Sequence, residues 1–272
     1  MPSSAPFFRE AGNGPNVVCL HSSAASSSQW LPLMEQLCDK YRVLAVDLYG
    51  EGKSPPWTSA RDCTLDDELV LLNPLLDERT PFVLVGHSYG GAVAMRLALA
   101  KRQSVQALVL YEPALWGFLA RVDPYGDGTK EIEAVRQSLI ERFDLGNDEA
   151  ATQGFMDYWL GAGTWASLPE YRRPSLIQGA RANAKKWRES LGPTFSEEEF
   201  QKLRLPVLLL AGSNTTLAAG SVVTRLQALL PQAEVVNLQG LGHLGPLTHP
   251  TIVNAEISSF LARLGERRGG AV

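Results

Sequence analysis

Short runs of apolar residues alternate along this chain with stretches whose apolar positions recur every three to four residues. The runs NVVCL (16–20), RVLAVDL (42–48), FVLVG (82–86), VQALVLY (105–111), PVLLLA (206–211) and AEVVNL (233–238) are apolar on both parities. A strand with one wet face alternates apolar and polar residues; these runs do not, so they predict strands covered on both faces. Between them, the stretches 29–39, 64–78, 89–101, 221–230 and 250–264 have helical period. Strand alternating with helix predicts an α/β architecture, a mostly parallel sheet flanked by helices and joined by right-handed crossovers.

One segment breaks the rhythm. Residues 114–204 contain no convincing strand, but hold helical patterns such as EIEAVRQSLIERF (131–143) and AATQGFMDYWL (150–160), with Trp116, Trp159, Trp165 and Trp187. Ligands of open parallel sheets bind outside the carboxyl ends of the strands, and an insertion after Tyr111 emerges at that edge. The pattern therefore predicts a core from residues 1–113 and 205–272 and a helical cap, or lid, over 114–204. Helices that merely add packing are the plainer reading of the same segment.

Composition narrows the picture without redirecting it. At 272 residues, 45% hydrophobic and 20% charged, the chain suits one large domain with an insertion. A formal net charge of −4 offers no basic footprint for nucleic acid or anionic membrane. Basic pairs such as Lys185-Lys186 and Arg267-Arg268 are expected on solvated faces. Cys19, Cys38 and Cys63 show no metal spacing and read as free thiols, Cys19 as a small buried hydrophobe. No basic region followed by an apolar stretch opens the chain, and no run approaches the roughly 18 apolar residues of a membrane span, so a cytoplasmic protein is expected. Nothing calls for a metal or cofactor. Oligomeric state is left open.

The most informative stretch is LVGHSYGG (84–91), a Gly-x-Ser-x-Gly between a strand and a helix. A serine on so tight a turn adopts strained backbone angles, and side chains at Gly86 and Gly90 would clash. The turn exposes the Ser88 hydroxyl as a nucleophile at the top of the sheet. It also sets the Tyr89 N–H at a helix N-terminus, where it can stabilise developing negative charge.

With LHSSAASSSQW (20–30), VLAVDLYGEGKS (43–54) and LQGLGHLGPLTHP (238–250), this motif resembles the α/β-hydrolase family over nearly the whole chain. HSSAASS, GHSYGG, LYEP and FMDYWLGAGTW together resemble a subgroup of bacterial hydrolases in its serine branch. The resemblance implies the α/β-hydrolase fold, an oxyanion loop after His21 and a general base on the late loop. Of the four histidines, His21 belongs to the oxyanion loop and His87 to the turn itself, while His249 precedes Pro250 at a helix start. His243, within Gly-x-Gly-His after the last strand, is the expected base for Ser88. Ser23, ahead of Ser22, is expected to join Tyr89 as oxyanion donor. Relatives have Gly where Ser22 stands, and a positive φ there would strain a serine.

The acid is the difficulty. Most members of the family place an Asp three residues beyond the glycine of the strand matching 206–211. That position is Thr215, and no Asp or Glu occurs between Leu205 and Ala233. Some members, including one subgroup of haloalkane dehalogenases and certain lipases, carry the acid one strand earlier. The matching residue is Glu112, which the residues alone also allow as a simple cap on the strand end. Asp47 and Glu51 fit less well, and a Ser–His dyad is the fallback.

The resemblance then implies a serine hydrolase acting on a small ester, thioester or lactone with an apolar group. Trp30, Trp116, Trp159, Trp165 and Leu244 are candidate pocket residues, although aromatic residues in a cap can equally be its own core. Dehalogenase and epoxide-hydrolase chemistry needs a carboxylate where Ser88 stands. A carbon–carbon bond hydrolase of the same fold usually has Trp after the histidine, where this chain has Leu244. A non-catalytic ligand receptor is the alternative from another class, supported by the vacant acid position.

Overall fold

The computed structural model describes residues 5–77, 79–189 and 195–269. Expected ranges that reach residues 1–4, 78, 190–194 or 270–272 lie there outside the described residues. Seven strands form one sheet in the order β1-β3-β2-β4-β5-β6-β7. Their ranges are β1 Phe8–Ala11, β2 Asn16–Leu20, β3 Arg42–Val46, β4 Phe82–His87, β5 Val105–Tyr111, β6 Val207–Gly212 and β7 Ala233–Leu238. All neighbours pair in parallel except β1, which runs antiparallel to β3. The apolar pattern did not predict β1. Its four residues, FREA, are mixed in polarity, as an edge strand tolerates.

Strand parity divides the core into two layers. Val18, Leu20, Leu84, Leu108, Leu110 and Leu209 face one cluster; Val17, Cys19, Val85, Val109, Leu208 and Leu210 face the other. Each fully buried Val or Leu contributes roughly 1.5–3 kcal/mol by leaving water. Helices α1 (Leu31–Leu37) and α12 (Pro250–Gly269) cover the second layer, touching each other. The first layer is covered by α2 (Leu65–Leu72), α3 (Tyr89–Ala100) and α10 (Leu217–Leu229). Helix α2 opens with a capping box in which Thr64 and Asp67 each bond the other's backbone N–H. Helix α10 starts one turn before the periodicity predicts, because the Thr216 hydroxyl caps it by accepting from Ala219 N–H.

Between β5 and β6 the described residues are helical: α4 (Trp116–Val122), α5 (Asp127–Asp144), α6 (Asp148–Leu160), α7 (Thr164–Ser167), α8 (Arg173–Glu189) and α9 (Glu197–Gln201). This insertion shares the first hydrophobic layer through Trp116, Phe143, Trp159 and Trp187. A four-residue helix, α11 (Gly245–Thr248), follows the late loop. Strand order reverses on either side of β2, so β2 and β4 flank the switch point where a crevice opens at the carboxyl ends. The loops after β2 and β4 carry HSSAASS and GHSYGG.

Candidate active site

Ser88 sits between β4 and α3 at φ 52°, ψ −117°. The strain is held by backbone on every side. Ser88 N–H donates to Tyr111 O, and its carbonyl accepts from the N–H groups of Ala92 and Ala114. A Cβ on Gly86 would come within 2.6 Å of the Gly90 carbonyl oxygen, and one on Gly90 would strike the Leu20 and His21 carbonyls. The two glycines thus let the turn close and let α3 lie against β2. Among the described residues, only Ala24, Ser88 and Glu112 combine a side chain with positive φ. Each such residue stores roughly 1–3 kcal/mol, and such strain concentrates at functional sites.

Ser88 Oγ lies 2.9 Å from His243 Nε2, and His243 Nδ1 lies 2.7 Å from Glu112 Oε2. Glu112 can only accept when ionised, so Nδ1 carries the proton and Nε2 is free to accept from the serine. The expected position for the acid is not idle. Thr215 Oγ1 donates to Glu112 Oε2 at 2.6 Å, and Gly212 N–H donates to Oε1 at 2.7 Å. Glu112 is fully buried and His243 is 2% exposed. Asp47 and Glu51 are spent elsewhere: Asp47 accepts from Ser27 N–H and Lys53 N–H, Glu51 from Ala25 N–H and Lys186.

Three other groups hold His243 in place. Tyr111 Oη donates to Gly242 O at 2.7 Å, and His87 Nε2 donates to His243 O at 2.8 Å. Burial drives the His87 pKa well below its ordinary value, with the nearby His243 adding to the effect, so His87 serves as a neutral donor. From the insertion, the Trp159 ring stacks on the His243 ring with centroids 3.9 Å apart and planes at 27°. Nothing in the sequence spacing pointed to these contacts. His21 accepts from Leu48 N–H at Nε2 and bonds Ser22 O through Nδ1, while His249 is exposed beside Thr248.

In the loop after β2, Ser22 N–H and Ser22 Oγ both donate to Gln29 Oε1. The Ser22 amide is therefore committed away from Ser88. The positive φ in this loop falls at Ala24, 57°, and not at Ser22. Ser22, Ser23, Ser88, Tyr89 and His243 share the wall of one cavity of about 690 Å³.

Of the five expected pocket residues, Trp116, Trp159 and Leu244 line this cavity, joined by Phe155, Met156 and Trp187. Trp30 and Trp165 do not. Trp30 heads α1 and is buried in the layer on the other face of the sheet. Trp165 is buried under the Arg173 guanidinium, 5.3 Å from its ring. A second expectation also fails: Lys186 is not on a solvated face but 5% exposed, with its ammonium between Glu51 and Glu68. The Lys185, Arg267 and Arg268 side chains lie outside the described residues. Cys19, Cys38 and Cys63 are free thiols, and burial raises the pKa of Cys19 and Cys63. Among the described residues no group of three or more His, Cys, Asp or Glu side chains could hold a metal ion. Nor is any described helix long and apolar enough to cross a membrane.

A Gly-x-Ser-x-Gly turn thus lies at the switch point, with a histidine on the loop after β7 and a helical insertion after β5. Residues 17–256 match the alpha/beta hydrolase family. The chain belongs to that family. This α/β hydrolase is 29% identical over 245 residues to the pimeloyl-acyl-carrier-protein methyl ester esterase of Nitrosomonas europaea, covering 88% of this chain and 92% of that protein. It is 32% identical over 279 residues to lipase LipV of Mycobacterium tuberculosis, covering 95% and 97% respectively. Among solved structures, a thermophilic esterase from Thermogutta terrifontis superposes with a TM-score of 0.75 at 23% identity, covering 95% of this chain and 93% of that one.

Proposed function

We propose that this α/β hydrolase cleaves a small carboxylic ester, thioester or lactone through an acyl-enzyme on Ser88. The observation that carries the reading is the continuous hydrogen-bonded chain Ser88–His243–Glu112 facing a cavity with apolar walls. Ser88 Oγ attacks the carbonyl carbon as its proton passes to His243 Nε2. Glu112 holds the imidazole in the right tautomer and stabilises its charged form. The oxyanion rests on the amides of Tyr89 and Ser23, a choice supported by the engagement of Ser22 N–H with Gln29. Collapse breaks the bond to the leaving oxygen or sulfur, which takes the proton from His243. Water then gives its proton to His243 as it attacks the acyl carbon, and Ser88 recovers that proton on leaving.

Helices α4, α6 and α8 act as a cap, with Trp116, Trp159, Trp187 and Phe155 receiving the apolar group of the substrate. An ester specificity agrees with the named activities of the esterase and lipase relatives. The vacancy at Thr215, which favours a non-catalytic receptor, is offset by Glu112.

Intact-mass analysis after fluorophosphonate treatment tests the proposal. One adduct on the wild type and none on Ser88→Ala is the expected result. A folded wild type that takes no adduct and hydrolyses no ester, yet binds one saturably, would return the receptor reading.

A further inference from the structure

The proposed mechanism makes no use of Lys186, although few side chains of this chain are placed at greater energetic expense. An ammonium withdrawn from water is tolerated only when paired. Lys186 Nζ lies 3.1 Å from Glu51 Oε1 and 3.0 Å from Glu68 Oε1, and 4.7 Å from the Tyr89 ring centroid. Burial pulls its pKa down, but the field of the two carboxylates outweighs this and raises it, so the ammonium stays charged.

Both carboxylates also bond groups beside the proposed oxyanion donors, Glu51 through its other oxygen and Glu68 through the same one that meets Lys186. Glu51 Oε2 accepts from Ala25 N–H at 3.2 Å, in the loop that carries Ser23. Glu68 Oε1 accepts from Tyr89 Oη at 3.2 Å, and its Oε2 accepts from Tyr49 N–H at 3.1 Å. One carboxylate therefore holds the loop that carries Ser23, and the second holds the Tyr89 side chain. Lys186, from α8 of the insertion, pairs with both.

We infer that Lys186 is a positioning residue that assembles the oxyanion hole, neutralising Glu51 and Glu68 so that the Ser23 and Tyr89 amides stay aimed at one point. The inference rests on the serine hydrolase reading above. Without the ammonium, two buried carboxylates would be left with no cation between them, an arrangement costly to keep out of water. One would swing toward solvent, and its grip on the loop or on Tyr89 would go with it. Docking of the cap and readiness for the reaction become one event, because the charge that completes the hole arrives on a cap helix.

The test uses hydrolysis of p-nitrophenyl butyrate by the wild type and Lys186→Met, with inhibition by an alkyl trifluoromethyl ketone and by the matching methyl ketone. The trifluoromethyl ketone adds to Ser88 and places an oxyanion in the hole; the methyl ketone binds without doing so. A lower kcat by roughly 10^2-fold is expected, the scale of a lost oxyanion donor. Affinity for the trifluoromethyl ketone should fall with it, while KM and the methyl ketone affinity stay within about threefold. An unchanged kcat, or equal losses for both ketones, overturns the inference, the second outcome reporting a loosened cap. Should Lys186→Met fail to fold, Lys186→Gln removes the charge while keeping a polar donor, and the same selective loss of trifluoromethyl ketone affinity is required of it. A working wild type with an indifferent Lys186 refutes this inference alone. A wild type without turnover or fluorophosphonate adduct takes the hydrolase reading down with it.

Discussion

Glu112 occupies a strained backbone position, φ 41°, and its carboxylate accepts from His243, Thr215 and Gly212 at once. Replacing the charge while keeping the shape separates its chemical and structural roles. Glu112→Gln is expected to lower kcat by on the order of 10^4-fold, the loss seen when a triad acid becomes its amide. Far-ultraviolet circular dichroism should register an intact fold, and unchanged turnover would remove Glu112 from the mechanism. Thr215 stands where the family resemblance implies an acid and instead donates to Glu112. Thr215→Val deletes a hydrogen bond to a charged group, so a stability loss of about 1.5–3 kcal/mol is expected in urea titration. Adding Thr215→Asp to Glu112→Gln moves a carboxylate to the usual position. Partial recovery of kcat over the single variant is the expected outcome, and no recovery would mean that the loop before α10 cannot aim an acid at His243.

Strand β5 and helix α6 both contact the late loop. Tyr111, at the end of β5, ties the loop down through Gly242 O, and Trp159 of α6 covers the imidazole. Tyr111→Phe leaves that half-buried carbonyl without its donor, which predicts a loss of about 0.5–1.5 kcal/mol and a lower melting temperature. Trp159→Ala removes an aromatic pair of about 0.5–1.5 kcal/mol. Since roughly 1.4 kcal/mol is a factor of ten in rate, kcat/KM should fall about 3- to 10-fold, and Trp159→Phe should recover most of it. If Trp159→Ala is as active as the wild type, the stack is only packing and α6 does not reach into the chemistry.

Across the whole molecule, pH couples to folding through His87. Its folded pKa is depressed, mainly by burial, from an ordinary 6.5. The unfolded chain therefore takes up a proton in a pH range where the folded one refuses it. The stability that neutral His87 provides is complete above pH 6.5 and is lost as pH falls from there toward the depressed value. Melting temperatures measured at pH 7.5 and pH 5.5 should differ more for the wild type than for His87→Gln, which keeps a donor for His243 O but cannot titrate. Equal pH dependence would show that His87 does not carry this linkage.

Much of the architecture is legible in the amino-acid sequence alone. The six apolar runs became β2 to β7; five of them, β2 to β6, are buried on both faces and so apolar on both parities, whereas β7 at the sheet edge is only half-buried, contrary to the expectation. Gly-x-Ser-x-Gly between a strand and a helix was equally readable, since the turn leaves no room for side chains at Gly86 and Gly90. Short β1 escaped, because a mixed edge strand depends on the partner it finds in β3. Trp30 and Trp165 could not be told from Trp159, because an aromatic side chain is buried either in a core or in a pocket wall and the sequence records neither neighbour. Lys186 was hidden for the opposite reason. A lysine is expected in water unless two carboxylates, here 135 and 118 positions away in the chain, come to meet it. The distance of Glu112 from His243, the commitment of Ser22 to Gln29 and the position of the positive φ at Ala24 likewise belong to the assembled loops. Local chemistry is written in adjacent residues; the pairing of charges and donors across the sheet edge arises only when strands far apart in sequence are set side by side.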